Sequence, residues 1–285
     1  MEQVSQAAEL RSCVLAARKA GKKIGFVPTM GFLHAGHLSL VEQARRNSDF
    51  VVVSIFVNPT QFNDKKDFEA YPIDIERDAA MLEKAGADLL FLPATETVFG
   101  TTLDSPYQTW VNVESLSLPW EGAHRPGHFR GVSTVVSILF NLVQADCAVF
   151  GEKDFQQLRL IEQMVADLKR GVEILRGELI REPDGLAMSS RNVRLSQEDR
   201  RAALAISRGL LAASDCFKDG ERRGSALIQT VEKELKAAAR VQPEYVAVAS
   251  EHSLEPVNEI TGPTRILVAV KVGAVRLIDN VALRP

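Results

Sequence analysis

Along roughly the first two thirds of the chain, short apolar runs alternate with amphipathic stretches. Residues 3–20 carry a helical pattern that ends at Gly21, and the apolar run 24–27 is cut off by Pro28. A second helical pattern, with Leu38, Leu40, Val41 and Ala44 on one side, runs to about residue 47. Residues 50–57 form a continuous β-rich apolar run, the signature of a strand buried on both faces. It stops at Asn58-Pro59-Thr60-Gln61-Phe62. Further on the pattern predicts a helix over 74–86, a strand over 87–92 stopped by Pro93, and an irregular stretch over 94–131 with a strand at 109–113. A helix over 132–143, a strand over 145–150, a helix over 155–168 and a strand over 173–180 follow, then a loop over 181–192.

Strands that alternate with helices imply βα units, a parallel sheet and right-handed crossovers. Ligands of such sheets bind beyond the carboxyl ends of the strands. By that rule the turn at Met30, residues 58–61, residues 151–154 and residues 187–192 share one crevice, and these are also the stretches richest in polar groups. Beyond residue 192 the alternation is lost. Helices over 197–217 and 226–240 are followed by strands over 245–249, 266–272 and 275–278, the last two a hairpin around Gly273-Ala274. The expected architecture is an α/β protein: a Rossmann-like parallel-sheet domain over 1–185 and a smaller α+β domain over 186–285.

With 285 residues, 46% of them hydrophobic, the chain is long enough for a sizeable core. The net charge of −3 and the lack of a long basic run give no electrostatic footprint for nucleic acid. Residues 1–10 contain Glu2 and Glu9 and no long apolar core, so no signal peptide is expected, and no apolar stretch reaches transmembrane length. Cys13, Cys147 and Cys216 are scattered and odd in number, which points to reduced thiols in a cytoplasmic protein.

The stretch from Phe26 to Leu38 holds the candidate chemistry. It reads as strand end, turn and helix start, and a helix N-terminus offers free N–H groups to phosphate. His34 and His37 are three apart and share a helical face. Three readings stay open for them: phosphate ligands, metal ligands, or surface histidines. The zinc pattern has spacing i, i+4 with an internal Glu, and neither is present.

Five motifs together carry a resemblance. Pro28-Thr29-Met30-Gly31-x-Leu33-His34-Ala35-Gly36-His37, Val57-Asn58-Pro59-Thr60-Gln61-Phe62, Arg125-Pro126-Gly127-His128-Phe129, Phe150-Gly151-Glu152-Lys153-Asp154 and Met188-Ser189-Ser190-Arg191-Asn192 resemble, in order, the pantoate–β-alanine ligase family. That family belongs with nucleotidylyltransferases bearing an HxGH signature. The resemblance implies ATP-dependent condensation of (R)-pantoate with β-alanine, releasing AMP and pyrophosphate through a pantoyl adenylate. It also implies magnesium, a homodimer, and a smaller C-terminal lid domain over a Rossmann-like one.

Residue roles follow from the same resemblance. His34, His37 and Lys153 are the implied catalytic residues, with His37 the proton donor. Met30, Gly31, Phe32, Leu33, Ala35 and Gly36 with the histidines, then Gly151, Glu152 and Asp154, then Ile180, then Met188, Ser189, Ser190 and Arg191, are implied to bind ATP. Gln61 and Gln157 are implied to bind pantoate, Gln61 lying near β-alanine as well. Arg125 matches a family arginine near the dimer side of the site. Asp154 either caps the following helix or joins nucleotide binding. After Tyr71-Pro72 the chain departs from the family's Arg-Thr with Ile73-Asp74, where Asp74 suits a helix N-cap. Two other enzymes compete: a nucleotidylyltransferase that uses a phosphate acceptor, and a small tRNA-ligating synthetase, which the acidic charge disfavours. A non-catalytic nucleotide-binding regulator is the third alternative, although His37 and Lys153 are both present.

Overall fold

The computed structural model describes residues 1–100 and 107–285. Its first part runs β1 (Glu2–Val4), α1 (Ala7–Lys19), β2 (Ile24–Thr29), α2 (Ala35–Asn47), β3 (Phe50–Ile55), α3 (Lys65–Glu69) and α4 (Ile75–Ala85). It continues with β4 (Leu89–Phe91), α5 (Thr95–Phe99), α6 (Glu121–His124), α7 (His128–Val143), β5 (Cys147–Gly151), α8 (Phe155–Asp167) and β6 (Glu173–Gly177). The six strands pair in parallel in the order β1-β4-β3-β2-β5-β6. Val51, Val52 and Val53 of β3 and Cys147, Ala148 and Val149 of β5 are all buried, as a sheet covered on both faces requires.

The strand order fixes where a ligand can enter. From β2 the chain passes through α2 to β3 on one side, while β5 lies on the other side, paired through Gly25↔Cys147 and Phe26↔Ala148. The order therefore reverses between β2 and β5, and a crevice opens at their carboxyl ends. The turn after β2 and the 3₁₀ turn Glu152–Asp154 after β5 face each other across it.

The second part comprises α9 (Gln197–Lys218), α10 (Gly224–Ala237), β7 (Val241–Ser250), β8 (Thr264–Val272) and β9 (Val275–Leu283). The three strands form an antiparallel sheet in the order β7-β8-β9, with the hairpin closing at Val272↔Val275. This small sheet is not a separate globule. Ala247, Ala249, Leu254 and Leu267 join the apolar core that contains Phe26, Phe140 and Phe150.

Several elements differ from the sequence reading, each for a local reason. β1 falls inside the stretch read as helix: only Val4 of its three residues is buried, too few for a period to show. Pro243 sits beside a register shift in the edge strand β7, which begins at Val241 rather than at residue 245. Helix α7 begins at His128 rather than residue 132, because its glycine serves close packing. A Cβ on Gly131 would stand 2.6 Å from the Thr60 carbonyl oxygen. The described residues contain no strand at 109–113. The Val111 backbone is satisfied instead by α7 side chains, with Thr134 Oγ1 accepting from its N–H at 3.0 Å and Ser133 Oγ donating to its carbonyl at 2.6 Å. Residues 101–106 of the expected irregular stretch lie outside the described residues.

Candidate active site

The turn after β2 is built to deliver His34 and His37. Thr29 Oγ1 donates to Ser54 O at 2.9 Å and accepts from Gly31 N at 3.1 Å. Gly31 has φ +82°, and a Cβ there would also strike Ile55 Cγ2 at 2.8 Å, so the position requires glycine. Asp78 of α4 then accepts from Phe32 N at 2.6 Å and Leu33 N at 2.8 Å. Burial raises the Asp78 carboxyl's pKa against the opposing pull of those two N–H groups. The Arg77 guanidinium lies 5.0 Å over the Phe32 ring, and its Nη2 donates to Leu33 O at 2.9 Å.

The chain enters α2 at His34, whose ring lies 4.0 Å from that of His37, centroid to centroid. Gly36 leaves room for this pair, since a Cβ there would meet the His34 ring at 3.0 Å. The two imidazoles differ in how they are held. His37 Nδ1 accepts from His34 N at 3.3 Å, so the neutral ring carries its proton on Nε2. His34 Nδ1 is buried and has no partner among the described residues. Burial, with His34 and Lys153 nearby, holds the His37 pKa well below its usual value. Burial and Lys153 lower that of His34 to about 4. Both rings are neutral near pH 7.

Opposite them the turn after β5 presents Lys153, whose Nζ lies 3.6 Å from Asp154 Oδ1. The Asp154 side chain makes no capping bond to α8 and lines the crevice instead. The loop before α9 adds Met188 to Arg191. Ser190 Oγ donates to Phe32 O at 3.1 Å, and Met188 N donates to Ile180 O at 3.0 Å. Arg191 is drawn to α3, donating to Asp67 Oδ2 at 2.8 Å, and Arg194 reaches Asp67 Oδ1 at 2.6 Å. Burial works against the Asp67 carboxylate, but these two arginines outweigh it and lower its pKa.

Gln61 and Gln157 close the far end of the crevice. Asn58 Nδ2 donates to Gln61 Oε1 at 3.1 Å, and the Gln61 amide nitrogen touches Met30 Sδ. The Gln61 carbonyl accepts from Arg125 Nη2 at 3.0 Å and from His128 Nδ1 at 2.8 Å, which places the His128 proton on Nδ1. Gln157 has no hydrogen-bond partner among the described residues, whereas its neighbour Gln156 is buried and bonded to Leu116 O and Pro119 O. Between the glutamines, Val132, Val135, Val136 and Leu139 of α7 make an apolar floor with Phe56. The crevice encloses about 1370 Å³ free of protein atoms, its open mouth included.

Most of the residues singled out in the sequence meet on this wall: Met30, His34, Gly36, His37, Gln61, Gly151, Lys153, Asp154, Gln157, Ile180, Met188, Ser189, Ser190 and Arg191. Gly31, Phe32, Leu33, Ala35 and Glu152 are not part of it. Leu33 is fully buried, Phe32 lies under Arg77, and Glu152 turns away to Arg265. The apolar floor, Tyr71, Asp67 and Asp78 were missed. Only the apolar period of residues 132–143 gave any sign of the floor. Asp74 caps α4 as expected, accepting from Arg77 N at 3.1 Å.

The family profile described as Pantoate-beta-alanine ligase matches residues 2–282. A protein named pantothenate synthetase from Moorella thermoacetica is 48% identical, with 99% of each chain covered. One of the same name from Geobacter sulfurreducens is 47% identical, again over 99% of each. The crystal structure of pantothenate synthetase from Thermus thermophilus superposes with a TM-score of 0.94 at 45% identity, covering 100% of both chains. That of pantoate-beta-alanine ligase from Francisella tularensis, complexed with beta-gamma ATP and beta-alanine, superposes with a TM-score of 0.80 at 32% identity, covering 99% of this chain and 97% of the other.

Proposed function

The chain belongs to the pantoate–beta-alanine ligase family, and from that premise we propose how its crevice performs the reaction. It condenses (R)-pantoate with β-alanine, consuming ATP and releasing AMP and pyrophosphate. In the first half-reaction a pantoate carboxylate oxygen attacks the α-phosphorus, the bond to the bridging oxygen breaks, and pyrophosphate leaves. In the second, the β-alanine nitrogen attacks the acyl carbon of the adenylate, AMP leaves, and the nitrogen gives up a proton.

The observation that carries this reading is one crevice lined on one side by phosphate-binding groups and on the other by two uncharged amides over an apolar floor. The N-termini of α2 and α8, the Lys153 ammonium and the hydroxyls of Ser189 and Ser190 suit a triphosphate. Neutral His37 donates from Nε2 to a phosphate oxygen; as the negative charge brought by ATP draws its pKa upward, the ring takes a proton at Nδ1 in place of the bond from His34 N, and then passes its Nε2 proton to the leaving pyrophosphate. His34, whose Nδ1 has no partner among the described residues, adds a second contact. Gln61 and Gln157 bond the hydroxyls and carboxylate of pantoate, while Val132, Val135 and Val136 accept its two methyl groups. The Ile180 carbonyl is occupied by Met188, so its N–H is the backbone group left for adenine.

Magnesium fits as the companion of the triphosphate. The half-exposed Asp154 carboxylate on the crevice wall is a hard oxygen donor beside Lys153, and the ion would supply charge neutralisation at the phosphates. On this reading the chain divides near residue 185. The protein is a cytoplasmic homodimer whose partners are small molecules, not nucleic acid or membrane. Exposed Leu118, Ile73 and Leu15 are apolar surface that a second copy can cover, and no described helix is long and apolar enough to cross a membrane.

The test is exchange of labelled pyrophosphate into ATP. The protein is expected to catalyse it when pantoate is present and β-alanine is absent. Exchange that required β-alanine, or none at all from protein active in the complete reaction, would rule out the adenylate.

A further inference from the structure

Asn280 of β9 is 4% exposed, yet it reaches out of its own sheet. Its Nδ2 donates to the carbonyls of Glu152 and Lys153, both at 2.9 Å. Its Oδ1 accepts from Arg265 Nη1 at 2.7 Å. Arg265 of β8 is itself buried. It donates to Glu251 Oε1 at 2.9 Å and Glu152 Oε1 at 3.3 Å, and its guanidinium lies 3.8 Å over the Phe155 ring. One arginine and one amide of the small sheet thus grip the turn after β5 from behind.

That turn has little else to hold it. Glu152–Asp154 is a single 3₁₀ turn, and no side chain caps the start of α8 behind it. The two carbonyls held by Asn280 flank the Lys153 α-carbon, so the amide sets the direction in which that side chain leaves the backbone. The docking of the small sheet, by contrast, rests on other contacts as well. Arg276 grips Glu121 with two bonds at 2.7 Å, and Arg181 pairs with Asp279 at 2.7 Å. Asn280 therefore makes some of the several bonds that dock the small sheet, and the ones that reach the carbonyls of the turn.

We propose that Asn280, oriented by Arg265, is a positioning residue for Lys153, so that the small domain aims the ammonium at the phosphates. The proposal rests on the reading of Lys153 given above. Misplacement of a catalytic group by about 1 Å lowers rates up to about 10²-fold, which is the scale expected here.

Asn280→Asp tests it, since it is isosteric, keeps an acceptor for Arg265 and removes both donors. Pantoate-dependent pyrophosphate exchange is expected to lose about 10²-fold in kcat, with the KM for pantoate within about twofold. A second readout is acylation of Lys153 by an amine reagent, followed by peptide mass spectrometry. A non-hydrolysable ATP analogue with pantoate should protect Lys153 in the parent and fail to protect it in the variant at equal analogue occupancy. Asn280→Ser, which drops the bonds without adding charge, gives the same comparison if Asn280→Asp does not fold. Parental kcat with full protection would overturn the proposal. So would loss of folding in both variants, because the role would then be structural. Absence of exchange in the parent overturns the adenylation reading instead, which keeps the two failures apart.

Discussion

At the scale of single residues, spacing placed His34 and His37 on one helical face without separating their roles, and only the family resemblance named His37 the proton donor. The structure shows that the two rings are held differently, through one bond. His37 Nδ1 is fixed by the His34 N–H, which leaves Nε2 as its donor nitrogen, while His34 Nδ1 has no partner among the described residues. No spacing rule reveals which nitrogen is engaged, because that depends on how the backbone enters α2. Positioned acids contribute about 10²–10⁴ in rate. His37→Ala is accordingly expected to reduce pyrophosphate exchange by about that factor, and Lys153→Ala by at least about 10²-fold through lost charge stabilisation. Circular dichroism should report an unchanged fold in both. A variant exchanging at the parental rate would remove that residue from the mechanism. Gln157 was singled out in the sequence only through the family resemblance, and the structure places it on the crevice wall. Its neighbour Gln156 has the same side chain and a structural task, and only burial tells the two apart.

Among the elements, the βα alternation was readable because each buried strand announces itself as an apolar run ended by a polar turn. The turns' internal support was not readable, because it comes from distant side chains. Asp78 lies 45 residues beyond the Leu33 amide it accepts from, and it was not singled out in the sequence. In the structure it is fully buried and holds the two N–H groups that immediately precede His34. Each buried N–H left unsatisfied costs about 1–3 kcal/mol. Asp78→Ala should lower stability by at least that amount in urea denaturation and depress exchange as the turn relaxes. Asp78→Asn, which keeps one acceptor, should lose less in both measurements. Equal stability of Asp78→Ala and the parent would show that water or a backbone shift replaces the carboxylate.

For the molecule as a whole, the two-part architecture was legible where periodicity changed after residue 192, but the shared core was not. Tyr245, Ala247 and Leu267 pack with the first sheet's core, and such pairing across distant segments leaves no local trace. The shared core also ties the half-buried His34 and the buried His128 of the crevice to global unfolding, and so to pH. In the unfolded chain each ring takes up a proton near its usual value of 6.5, whereas in the folded chain His34 holds off to about 4 and His128 to about 3. Burial is the first cause at both, joined by Lys153 at His34 and Arg125 at His128. Above about pH 6.5 both states are neutral there, and stability is at its full value. As pH falls from 6.5 toward 4 the unfolded state binds more protons, so stability declines. Glu121 and Glu162, held below their usual 4.5 against burial by their arginine partners, add the same sign only at lower pH. Asp78 and Asp279, which burial raises, work in the opposite direction. The urea midpoint is therefore expected to be lower at about pH 5 than at about pH 7.5. Replacing His34 or His128 by Gln should flatten the difference, since glutamine takes up no proton in either state. A parental midpoint that does not change between the two pH values, or a slope untouched by both substitutions, would mean that the rings are not held neutral by burial.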